Sequence, residues 1–89
     1  MANRSVVIQG PKASGKTRNA PRLLRAFGLN QVIELDDLIL INGWRRRLRS
    51  TGHLYLTSSD QLAAEVMKLT DARVVRIADA LRGMPEVRS

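Results

Sequence analysis

The sequence predicts an α/β fold, a parallel sheet covered on both faces, and three observations carry that prediction. Short runs of β-branched and other apolar residues alternate with amphipathic stretches of about ten residues, the pattern of successive βαβ units. Glycine, proline, serine and aspartate cluster at the junctions, where turns need them. The chain has 89 residues, with room expected for one domain of one sheet and a few helices but not for a separate substrate domain or a long lid.

Taken in order, Ser5 to Gln9 predicts the first strand, closed by Gly10-Pro11. A helix is expected from near Gly15 to Gly28, a suitable residue just past a helix end, with Leu23, Leu24 and Phe27 at helical spacing. Pro21 then falls beyond the first turn. It removes the N–H that would bond the Thr17 carbonyl, so the helix should bend or re-form after Ala20. Gln31 to Leu35 predicts a second strand ending at Asp36-Asp37. From Asp37 to about Leu48, Leu38, Ile41, Trp44 and Leu48 share a helical face. Gly43 opposes that helix, while Arg45, Arg46 and Arg47 suit its C-terminal end. Ser50-Thr51-Gly52 is a turn and His53 to Thr57 a third strand. Ser58 and Gln61 stand at capping-box spacing before a helix with Leu62, Val66 and Leu69 on its apolar stripe. Val74 to Ala78 predicts a fourth strand, although "DARVVRIADALRG" can also be written as a helix. β-branched residues and a turn-like Thr70-Asp71 favour the strand. Residues 1–83 form the expected single domain, with a loose tail from Met84 to Ser89.

Composition narrows the function. The chain has no cysteine, which excludes a disulfide framework and thiolate metal sites and agrees with an expected cytoplasmic location. No apolar run approaches the roughly eighteen residues of a membrane span, so no membrane partner is expected. Met1-Ala2-Asn3-Arg4 leads directly into a strand, with no expected signal peptide. Fifteen Lys plus Arg against eight Asp plus Glu give a net charge of +7, which favours phosphate-rich partners. One Trp, one Tyr and one Phe offer few surfaces for base stacking, which weakens single-strand binding. Trp44 is expected in the core, and His53 is given no catalytic role.

The segment Gly10-Pro11-Lys12-Ala13-Ser14-Gly15-Lys16-Thr17 fits G-x-x-x-x-G-K-[ST] at every position. The glycines allow close backbone approach, and the intervening N–H groups form an anion nest. Lys16 is expected to reach the β- and γ-phosphates of ATP or GTP, and Thr17 to ligate Mg²⁺. Chance matches in a chain this short arise in roughly a few per thousand sequences, so nucleotide binding outweighs a Gly-rich turn that binds nothing.

Right-handed crossovers bring the C-terminal ends of parallel strands to one edge. There the sequence gathers residues 10–17, Glu34 to Asp37, Thr57 to Asp60 and Asp79. Strand alternation places Glu34 and Asp36 on one face and Asp37 on the other. Asp36 is the first choice to orient a Mg²⁺-bound water, so Thr17 and Asp36 are the expected metal ligands. Glu34 is the candidate base, Asp37 its substitute, and Lys16, Asp36 and Glu34 the expected catalytic set. Structural roles stay open beside these: Asp37 as a helix cap, Glu34 as an arginine's partner, and Ser58 or Ser59 as a cap. Thr57 and Ser59 are alternatively contacts for the γ-phosphate or an attacking water. Asp79 is either a turn residue or an adenine-side contact.

These residues resemble a known group. G-P-K-A-S-G-K-T, then L-L-R-A-F-G-L and V-I-E-L-D-D-L-I, is similar to the opening half of P-loop kinases of the shikimate, gluconate and nucleotide kinase type. It is also similar to very small phage and prophage P-loop proteins, which share the G-K-T-R-N-A opening and the short length. The resemblance runs over residues 5 to 40. It implies a minimal three-layer α/β/α P-loop domain with a four-stranded parallel sheet, the second strand outside the third and the P-loop strand inside. Glu34-x-Asp36 occupies the place of that group's D-x-D-like motif, with Glu34 replacing the usual first Asp. Thr57-Ser58-Ser59 stands where shikimate kinases carry a glycine-rich segment, and no arginine-rich lid stretch follows, which counts against small-molecule phosphoryl transfer. Three functions remain open. They are a triphosphate-binding protein with weak or assembly-dependent hydrolysis as a homo-oligomer, a small kinase, and a phage-type interaction protein. The last would bind nucleic acid or a host protein through Arg45, Arg46, Arg47 and Arg49, which alternatively supply transition-state charge within the chain or to a neighbouring subunit, or form a solvated basic face.

Overall fold

In a computed structural model, which describes residues 3–11 and 16–82, four strands make one all-parallel sheet: Val6–Gln9 (β1), Gln31–Glu34 (β2), His53–Thr57 (β3) and Arg73–Arg76 (β4). Their order is β2-β3-β1-β4, with the second strand outside the third and the first inside, as the kinase resemblance implied. Four helices complete the α/β fold: Ala20–Ala26 (α1), Leu35–Leu38 (α2), Asp60–Thr70 (α3) and Ile77–Arg82 (α4), with a 3₁₀ helix at Trp44–Arg47. The expected tail, 84–89, lies outside the described residues.

Side chains alternate across a strand, and the two central strands are apolar at every position except Gln9 at the end of β1 and His53 and Thr57 at the two ends of β3. Val6, Ile8, Leu54 and Leu56 pack with Ala20 and Leu23 of α1 and with Ile77 and Ala80 of α4. Val7 and Tyr55 point the other way and pack with Leu35, Trp44 and Leu48 and with Leu62, Ala63 and Val66 of α3. Tyr55 is fully buried, and its hydroxyl accepts from the Arg49 backbone N–H at 2.7 Å and lies 3.0 Å from His53 Nδ1.

Several boundaries depart from the sequence expectation. Helix α1 starts at Ala20, not near Gly15, and residues 16–19 form turns. Pro21 therefore sits in the first turn, where a missing N–H breaks no helical bond; of the two expected outcomes the bend is not needed, and a helix formed anew from Ala20 is what is seen. The helix ends as expected at Gly28, with φ +64° and the Leu29 N–H bonded to the Leu24 carbonyl at 2.9 Å. The Asn3 side chain donates to the carbonyls of Phe27 and Gly28, and a Cβ on Gly28 would stand 2.3 Å from Asn3 Nδ2.

Strand β2 stops at Glu34, and Leu35 already belongs to α2. The expected helix from 37 to 48 is broken: α2 is one turn long, and Gly43, at φ +77°, separates it from the 3₁₀ helix. A left-handed residue resets the helical phase. Trp44 and Leu48 are therefore buried as expected, but Ile41 is exposed. Ser59, not Ser58, caps α3: its hydroxyl accepts from the Leu62 N–H at 3.1 Å. Leu69 falls off the buried stripe, which is completed by Ala63 and Thr70. The last segment divides between its two readings, strand at 73–76 and helix from Ile77, because Ile77 and Ala80 are drawn onto the α1 face of the sheet.

Candidate functional site

The two central strands end side by side, and the Gly10 N–H extends their pairing by bonding the Thr57 carbonyl at 3.1 Å. The chain leaves the sheet at Gly10-Pro11 and Lys16 comes back over the same spot. Its ammonium donates to the Gly10 carbonyl at 2.6 Å and to the Pro11 carbonyl at 2.8 Å, with only 9 % of the residue exposed. Among the described residues Lys16 has no carboxylate in direct contact; the Gly10 and Pro11 carbonyls accept from its ammonium, and Asp36 acts on it at longer range. That arrangement holds a cation at a strand end.

Beside it, Thr17 donates its hydroxyl to Glu34 Oε1 at 2.7 Å, joining the returning chain to the end of β2. Asp36, in the first turn of α2, collects three donors from the end of β3: the Thr57 hydroxyl at 2.7 Å, the Ser58 hydroxyl at 2.8 Å and the Ser58 N–H at 3.2 Å. Thr57 Oγ1 in turn accepts from the Ser59 N–H at 3.1 Å. Partial burial works against the Asp36 anion. The bonds from Thr57 and Ser58 and the positive charge of Lys16 outweigh it, and the carboxyl pKa lies below its ordinary value. Asp36 is thus a fixed anion within the field of Lys16.

The structure brings together Gly10, Pro11, Lys16, Thr17, Glu34 and Asp36 at this edge. Lys12, Ala13, Ser14 and Gly15 lie outside the described residues. Glu34 and Asp36 do not share a strand face, because the strand ends at Glu34 and the alternation ends with it. Among the described residues Asp37, exposed within α2, caps no helix, and Glu34 bonds a threonine and no arginine. Asp79 is not at a strand end; it lies in the first turn of α4, 3.8 Å from Arg82. It lines a recess of about 560 Å³ along β4 with Gln9, Asp60 and Arg76. A smaller recess of about 280 Å³ opens beside Gly10 and Pro11, between the ends of β1 and β4, and takes in Gln9, Asp60 and Arg76 again. Gln9 donates to Asp60 across its mouth.

Sequence reasoning missed Ser58 as a partner of Asp36. The available signal was the adjacency of the second and third strands, whose register pairs Glu34 with Leu56 and sets the residue after next in each chain near the same point.

Among the described residues no three His, Cys, Asp or Glu side chains form a metal-holding group. A preformed cage for Ca²⁺ or Zn²⁺ is therefore not present there. Mg²⁺ sets a lower demand: one or two protein oxygens, with phosphate and water completing the octahedron. The hydroxyl of Thr17 and the carboxylate of Asp36 are hard oxygen donors of that kind.

No known family model, curated protein or solved structure matches the chain.

Proposed function

We propose that the chain is a minimal three-layer α/β/α P-loop domain that binds a purine nucleoside triphosphate, ATP or GTP, with Mg²⁺ and hydrolyses it weakly or only on assembly. The observation that carries this reading is Lys16: a buried ammonium resting on the carbonyls of Gly10 and Pro11 at the end of a central parallel strand, electrostatically coupled to Asp36. Polyphosphate supplies the negative charge that two carbonyl dipoles only approximate.

Mg²⁺, when bound, would neutralise the β- and γ-phosphate oxygens and fix their geometry. Thr17 and Asp36 are the residues to hold it, directly or through water. Thr57 and Ser58 keep Asp36 ionised and aimed from the end of β3. Glu34 is the proton acceptor for an attacking water once the Thr17 hydroxyl turns from it to the cation. Hydrolysis is favoured over transfer to a second substrate because the sequence carries no arginine-rich lid stretch to exclude water.

The test is a melting-temperature panel over ATP, GTP, ADP and deoxynucleotides, with and without Mg²⁺. Ligand at a hundred times its Kd adds about 2.7 kcal/mol, or on the order of 10–20 °C for a domain this small. The shift should need Mg²⁺ and vanish in Lys16→Ala. No shift for any triphosphate at millimolar concentration would discard the proposal.

A further inference from the structure

We propose that residues 39–49 form a contact for an anionic membrane surface, in which Ile39, Leu40 and Ile41 enter the headgroup–acyl boundary and Arg46, Arg47 and Arg49 meet lipid phosphates. This is a surface contact, not a span; among the described residues no helix is long and apolar enough to cross a bilayer.

The apolar half is unusual for a water-facing loop. Ile39, Leu40 and Ile41 are consecutive and are 40 %, 81 % and 42 % exposed. Scattered exposed aliphatics are ordinary, whereas a contiguous set marks a contact. On one continuous helix three neighbours would diverge around the axis. Here α2 has ended, and Gly43 at φ +77° turns the chain so that these residues and Trp44, Arg45 and Arg46 line one recess of about 640 Å³.

The charged half is one-sided along the chain, and Arg45 and Arg46 line the same recess as the aliphatics. From Leu38 to Ser59 the sequence has four arginines and no acidic residue. Arg45 is engaged, bonded to Glu65 of α3 and stacked 4.6 Å over the Trp44 ring. Arg46, Arg47 and Arg49 are exposed and pair with no carboxylate among the described residues. Glu34, Asp36 and Asp37 precede the loop; Glu34 is bonded to Thr17, and Asp36 to Thr57 and Ser58. The patch therefore keeps a positive excess next to its aliphatics.

This combination selects the occupant. A symmetric contact with a second copy would set the same guanidinium groups against each other. Nucleic acid would satisfy the arginines and leave Ile39 to Ile41 in water. A folded acidic partner would need an apolar pit shaped to three consecutive aliphatics, which a bilayer does not. An anionic bilayer takes both halves at once, aliphatics below the headgroups and arginines among them.

Trp44 is the only tryptophan and lies at the base of the patch, so its fluorescence reports contact directly. The whole chain is titrated with phosphatidylcholine vesicles, alone or with about one-third phosphatidylglycerol. Binding is followed by co-sedimentation and by Trp44 quenching from brominated acyl chains. The expected result is salt-sensitive binding to the anionic vesicles alone, weakened roughly tenfold by Leu40→Asp and by at least as much in Arg46→Gln/Arg47→Gln. Leu40 is so exposed that its substitution should leave the melting temperature unchanged. Lys16→Ala should bind vesicles like the wild type, so loss of nucleotide binding and loss of membrane binding are separable. No binding, equal binding to neutral vesicles, or binding indifferent to Leu40→Asp would overturn the proposal. So would duplex DNA binding in the absence of vesicle binding.

Discussion

Replacing Asp36 with asparagine should cost the fold about 2 kcal/mol. The carboxylate accepts from Thr57 Oγ1, Ser58 Oγ and the Ser58 N–H. An asparagine keeps one carbonyl oxygen and turns an N–H₂ toward the remaining donors. If the amide faces Ser58, a main-chain N–H loses its acceptor; if it faces Thr57, the hydroxyl must reverse while still accepting from the Ser59 N–H. A charge-assisted bond contributes about 1.5–3 kcal/mol when buried, and the half-buried position of Asp36 puts the total near the middle of that range. At roughly 2 cal/mol/K per residue the melting temperature at neutral pH should drop by about 10 °C. The pH dependence has a definite sign. Asp36 is more acidic in the fold than in the unfolded chain, so the unfolded chain binds its proton first as pH falls. The stabilisation is complete above the ordinary carboxyl pKa near 4 and is lost as pH falls below it through the folded value. In calorimetric melts from pH 7 down to 3 the gap between wild type and Asp36→Asn should therefore narrow towards the acid end. A melting temperature within a degree or two of wild type at neutral pH, or an unchanged acid-side slope, would refute this role for Asp36.

Two further predictions concern the surroundings of the site. Ser59→Ala should destabilise by about 1 kcal/mol, while Ser59→Asp, an equally good cap, should stay close to wild type in urea unfolding. Equal stability of the two variants would place the cap elsewhere. His53, half-buried against Tyr55 and near Arg49, is held neutral by burial first and by the arginine charge second, so its pKa lies below 6.5. Its folded pKa is depressed, so its contribution to stability is intact above the unfolded value and is lost as pH falls through the folded one. A ring-proton NMR titration with its midpoint at or above 6.5 would contradict that environment.

The central strands were readable because β1 and β3 are buried on both faces and carry continuous apolar runs; His53 to Thr57 was placed residue for residue. The edge that gathers Lys16, Thr17, Glu34 and Asp36 followed from parallel crossovers alone. Helix boundaries were less readable. Counting from the G-K-T motif put Pro21 deep in a helix, whereas the proline itself marks the first turn. Between 37 and 48 the apolar spacing was helical but the backbone was not. Periodicity records which positions are apolar and is blind to a left-handed glycine between them. The donors to Asp36 were less readable for another reason: strand order alone places β2 beside β3, but which residues meet depends on the register, Glu34 opposite Leu56. The exposed Ile39, Leu40 and Ile41 had been absorbed into the same expected helix, so their exposure emerged only from the coordinates.

The most direct measurement is isothermal titration calorimetry of Mg²⁺-ATP and Mg²⁺-GTP into the folded chain and into Lys16→Ala, with circular dichroism on both to establish folding. Saturable heat with one site per chain for at least one triphosphate, absent from the folded variant, is the predicted result. No heat from the folded wild type, or the same isotherm from Lys16→Ala, would contradict polyphosphate capture at the end of β1.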